Sequence, residues 1–272
     1  MDAPRHSLPP GLPAPPALPA PTGQPGLPQA LGMVVLYFML QVAFGVAASL
    51  LLGLAYGIAH PGAARWDVRA AMADPNVKCM LVVLVLVGAA AVTLWLVHRL
   101  WPHPWRRAQP PGFGFAAPSS AGWYAIAVAV GLLLPLAGGK LTELLAHGHA
   151  VPQDVKDLGG EARLLFRVTL TLAVVSIGPL VEELLFRGVL LGALLRRLRA
   201  VWAVLASATL FALVHLSGLH WLWYALPNLV LLGVALAWLR LRSGSLWPSV
   251  VAHGCNNLLA MASLFVALHQ PG

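Results

Sequence analysis

Apolar positions along this chain come in long unbroken blocks. They show neither the alternation of a half-buried strand nor the single stripe of a surface helix. The first block runs from Leu31 to Ala59 without a charge, and others cover Cys79 to Val97, Trp123 to Leu145 and Leu164 to Leu198. A helix needs about 20 apolar residues to cross the bilayer core, so each block is read as a membrane span. From Ala200 to Leu239 there is no Lys, Arg, Asp or Glu. Ser217-Gly218 divides that stretch into two short spans, and Pro227 bends the second. The last span runs from Leu246 to Leu268. Leu164 to Leu198 is read as one span kinked at Pro179, which lacks a backbone donor. The fold class expected is all-α: a polytopic transmembrane helix bundle of about seven spans, or eight if the long block divides, with its active site inside the bundle.

Composition agrees with this picture. The chain has 272 residues, 59% of them hydrophobic and 10% charged, against about 25% charged in a soluble domain. Net charge is +8. Its Arg residues sit mostly in short loops, where they set orientation, so nucleic acid is not expected as a partner. With the N-terminus cytoplasmic, inner loops would hold Arg99, Arg106 and Arg107, then Arg196, Arg197 and Arg199, then Arg240 and Arg242. The acidic stretch 154–161 would lie outside. Arg65, Arg69 and Lys78 break the pattern, because this arrangement puts them outside. No cleavable signal peptide is read, so the first span serves as an uncleaved anchor at the cell membrane.

Three segments follow: a Pro-rich tail over 1–29, read as disordered; N-terminal transmembrane helices over 30–147; and a core carrying the chemistry over 160–269. Cys79 and Cys255 read as small buried side chains. His147 and His149 lie near a span end, where a solvated role is the default reading. Several Trp, including Trp101, Trp105, Trp123, Trp221 and Trp247, read as interfacial belts.

The polar exceptions inside the apolar blocks carry the chemistry. Glu182, Glu183 and Arg187 lie in one block, and an ionised residue at mid-membrane costs about 2.5–3.5 kcal/mol on insertion scales. Glu183 and Arg187 are four apart, so they share a face and can pair. Glu182 lies about 100° round the helix and has no local partner. His215 follows Phe211 by one turn near the end of the fifth span, and His253 precedes Asn257 by one turn in the last. In lipid each of these needs a polar partner, and convergence on one cavity would supply it. A carboxylate beside an imidazole can deprotonate water. A second imidazole and an amide can hold a developing oxyanion. The same Glu182, His215 and His253 could instead ligate a divalent metal such as zinc, although no cofactor is the favoured reading.

Three motifs appear in order: Glu182-Glu183-Leu-Leu-Phe-Arg187, Phe211 to His215, and His253 to Asn257. In them the chain resembles the CAAX-protease and bacteriocin-processing family over roughly residues 165–265. The resemblance implies an intramembrane endopeptidase acting on a peptide or protein substrate, lipidated in some members, within the lipid bilayer. It implies that Glu182 activates water with help from His215, and that His253 and Asn257 stabilise the oxyanion. Glu183, Arg187 and Phe211 would support them. Two other classes stay open at this point: a non-proteolytic scaffold or bacteriocin-immunity protein, and a proton-coupled transporter that uses Glu182 and the two His as a relay.

Overall fold

A computed structural model describes residues 23–62, 65–149 and 162–267 of the chain. Among them, eight helices and no strand are found. The helices are α1 (Leu27–Ala59), α2 (Arg65–Ala73), α3 (Pro75–Leu100), α4 (Gly122–Ala146), α5 (Leu164–Leu195), α6 (Ala200–Val214), α7 (Leu226–Ser243) and α8 (Trp247–Ala267). Every apolar block of the sequence has become a helix, and the short α2 sits between the first two. Among the described residues, five helices, α1, α3, α4, α5 and the one reaching Ser243, are long and apolar enough to cross a membrane. Outward faces of α1, α3 and α4 expose Met39, Leu50, Leu84 and Leu133, as lipid solvation of a helix bundle allows. The chain is a multi-pass membrane protein.

Local chemistry sets the helix ends. α1 begins at Leu27, inside the segment assigned to the tail, because Pro28 stands in its first turn, where its missing donor costs nothing. The Gln29 side chain accepts the Gly26 N–H at 2.6 Å. Tail residues 1–22 lie outside the described residues, as does the acidic stretch 154–161. α3 opens on Asp74, whose carboxylate accepts the N–H groups of Asn76 and Val77 at 2.8 and 3.2 Å. Those bonds hold the exposed Asp74 carboxyl below its usual range.

α5 runs unbroken through Pro179, as one span of 32 residues. Two π-helical stretches flank the proline, Ala173–Ile177 before it and Leu184–Leu190 after it. Each widened turn changes the helical register, and such turns recur at functional sites. Residues Leu184 to Leu191 are all buried, and they form the middle of the core. α1, α6 and α7 pack on the second π stretch, and α8 packs on the first.

α6 has only 15 residues, about 22 Å of helix against a core about 30 Å thick. It stops at His215, and two 3₁₀ turns, Ser217–Leu219 and Trp223–Ala225, lead into α7. The loop before α4 is held from inside. Arg240, read from sequence as a loop cation, is fully buried. It donates to the carbonyls of Ala108 and Gly112 at 2.7 and 2.6 Å. Those loop carbonyls have no helical partner, and a guanidinium reaches several of them at once.

Candidate active site

The structure brings the three polar motifs to one place. Glu183 and Arg187 pair one turn apart at 3.0 Å, both side chains fully buried. Arg187 also donates to the Gly233 carbonyl of α7 at 3.2 Å. Its guanidinium lies 4.4 Å from the centre of the Phe211 ring, close enough for a cation–π contact. Phe211 therefore links the first motif to the second, and its own carbonyl meets His215 Nδ1 at 2.7 Å.

Long-range contacts complete the arrangement. His253 Nδ1 lies 2.9 Å from Glu183 Oε1, so it donates to the oxygen that already accepts from Arg187. With Nδ1 engaged on both rings, each imidazole turns Nε2 inward. His215 Nε2 stands 3.5 Å from Glu182 Oε2, and His253 Nε2 stands 3.7 Å from the same atom. Glu182, the acid without a partner on its own helix, faces both imidazoles. Separations of this size are long for a direct hydrogen bond and suit one bridging water.

Asn257 lines the same cavity as Glu182. Its amide donates to the Val174 carbonyl in the first π stretch at 3.0 Å, and its oxygen accepts from Asn256 at 3.1 Å. One amide hydrogen is left over. Close backbone packing sets the position of α8. A Cβ built on Gly254 would come within 2.6 Å of the Val175 carbonyl, so only glycine lets His253 approach this near.

The cavity beside Glu182 has a volume of about 350 Å³ and lies between α1, α3, α5 and α8. Its α1 wall includes Gln41 and Ser49. One turn before Gln41, the fully buried Tyr37 hydroxyl has no hydrogen-bond partner among the described residues. These three went unmarked in the sequence because none carries a charge. Their signal is polar residues at four- and eight-residue steps on the inward face of an otherwise apolar span. Among the described residues, no three His, Cys, Asp or Glu side chains are grouped so as to hold a metal ion. Glu182, His215 and His253 share a neighbourhood without closing a coordination shell.

Residues 164–259 match the family described as type II CAAX prenyl endopeptidase Rce1-like. A protein of Bacillus subtilis (strain 168) named "Putative membrane peptidase YdiL" is 33% identical over 94 residues, which is 35% of this chain and 34% of that protein. The chain thus spans about a third of the length of the relative it matches. No solved structure matches. The family resemblance carried by the three motifs holds across α5 to α8, and α1 to α4 lie outside it.

Proposed function

We propose that this chain is an intramembrane endopeptidase in which Glu182 activates a water held between its carboxylate and the two imidazoles. The observation that carries this reading is the pair of Nε2 atoms at 3.5 and 3.7 Å from one Glu182 oxygen. Charge balance supports the division of labour. Glu182 and Glu183 bring two negative charges against one from Arg187. One further proton neutralises the set, and a buried cluster with unbalanced charge is costly. In this mechanism we place that proton on His253, which is bonded to the Glu183 carboxylate through Nδ1 at 2.9 Å.

Glu182 takes a proton from the water as the water oxygen attacks the scissile carbonyl carbon, with His215 orienting the water. The carbonyl oxygen becomes an oxyanion, and His253 Nε2–H and the spare Asn257 N–H donate to it. The carbon–nitrogen bond then breaks, and Glu182 returns its proton to the departing amine. Glu183 and Arg187 hold His253 and the second π stretch in place. The donor arrangement supports a metal-free reaction, so 1,10-phenanthroline should leave turnover unchanged. We place the N-terminus on the cytoplasmic side, following the basic loops. A lipidated C-terminal peptide is the substrate to try first, since the matched family description names CAAX prenyl endopeptidases.

The test compares new protein termini in membranes carrying the wild-type chain or Glu182→Gln at matched levels. Removal of the base should lower turnover about 10²- to 10⁴-fold, so termini present with wild type should vanish. Identical sets of termini from two folded proteins would overturn the hydrolase reading and favour a scaffold.

A further inference from the structure

The cavity beside Glu182 has two unlike walls. α3 presents aliphatic Leu81 and Val85, whereas α1 presents Gln41 and Ser49. Gln41 stands near the middle of a 33-residue apolar helix. Neither Gln41 nor Ser49 has a side-chain hydrogen-bond partner among the described residues. An amide without a partner at membrane depth is destabilising, yet here it lies on the face that looks toward Glu182. A free amide offers two donors and an acceptor. That is the complement of a peptide unit that has left its water behind on entering the bilayer.

The spacing gives the length of the ligand. Gln41 and Ser49 are eight residues apart, about 12 Å along the helix axis. An extended chain covers that distance in about four residues. Glu182 lies at the Gln41 end of the stripe, because α1 and α5 run antiparallel: Arg196 at the end of α5 donates to Gln24 just before α1 at 3.3 Å, and α1 packs on the second π stretch rather than on the first. Gly178 and Val174 follow Glu182 along the same cavity.

We propose that α1 is the edge that holds the substrate backbone. Gln41 hydrogen-bonds the peptide unit beside the scissile bond, and Ser49 bonds one near the far end of an extended segment of about four residues. Apolar side chains of that segment lie against Leu81 and Val85. This deepens the peptidase reading and rests on it for the position of the scissile bond. The preference it gives is for an extended apolar peptide, because a charged side chain against α3 would have no partner.

The experiment uses the full chain in lipid nanodiscs with Glu182→Gln, so that binding is read without turnover. The probe is a fluorescein-labelled tetraleucine amide followed by anisotropy. One hydrogen bond is worth a factor of about 3 to 10 in affinity. Gln41→Leu and Ser49→Ala should each weaken the probe by that factor. An ester analogue that removes one peptide N–H should bind less well to the parent protein. At the position facing Gln41, it should cost nothing further in Gln41→Leu. If Gln41→Leu loses its thermal transition, Ser49→Ala and the ester series carry the comparison. No binding of the probe, or affinities within twofold across both variants, would overturn the proposal. Termini that vanish with Glu182→Gln, beside unchanged probe affinity in the α1 variants, would keep the hydrolase and remove the edge. Weakened probe binding beside unchanged termini would keep the edge and remove the hydrolase.

Discussion

Removing Arg187 alone should be far more damaging than removing it together with Glu183. Both side chains are fully buried and 3.0 Å apart. Arg187→Met leaves Glu183 buried with only His253 as a partner, removes the side-chain donor to the Gly233 carbonyl, and loses the contact with the Phe211 ring. Breaking a buried ion pair in this one-sided way costs about 3–5 kcal/mol. Glu183→Met leaves the Arg187 charge stranded and should cost a similar amount. The double variant removes both charges and leaves aliphatic chains of similar length. Its remaining cost is the unpaired His253 Nδ1, about 1–3 kcal/mol for an unsatisfied buried group, while the Gly233 carbonyl keeps its partner within α7. The coupling between the two sites should therefore be at least about 3 kcal/mol, read from reversible unfolding in mixed micelles titrated with SDS. Activity should stay lost in the double variant, because His253 no longer has an acceptor fixing its ring. Losses that add to within about 0.5 kcal/mol, the usual tolerance for independent sites, would refute the view that these residues act as one buried unit.

Gly254→Ala should push α8 off the Val175 carbonyl, which lies 2.6 Å from the added Cβ. A cost of about 1–3 kcal/mol is expected in unfolding, with a larger proportional loss of turnover, since His253 is the next residue. Tyr37→Phe should leave stability unchanged or raised in thermal unfolding, because the buried hydroxyl it removes has no partner among the described residues. The start of α3 should loosen in acid. The Asp74 carboxyl is held below its usual range by the Val77 and Asn76 N–H groups, so its contribution is present above the unfolded value and lost as pH falls through the lower folded one. Hydrogen exchange at Asn76 and Val77 should rise in that window for wild type, and Asp74→Asn should abolish the pH dependence.

Where the helices lie was readable from the chain because a bilayer core demands unbroken apolar runs of about 20 residues. That demand is local, so α1, α3, α4 and α8 fall within a few residues of the runs that predict them. The Glu183–Arg187 pair was readable for the same reason, since four residues of helix bring two side chains together without help from the rest of the fold. Other features depended on packing. The bond from His253 to Glu183 spans 70 positions, and the two imidazoles that meet Glu182 come from separate helices, one of them brought close by Gly254. Arg240 looked like a loop cation until the fold brought the Ala108–Gly112 carbonyls to it. Gln41 went unmarked within an uncharged apolar span until α1 and α3 enclosed a space with Glu182. Helical periodicity fixes which residues share a face within one segment. Which faces meet is decided by side-chain volumes and backbone approach between segments, and only the assembled bundle contains those.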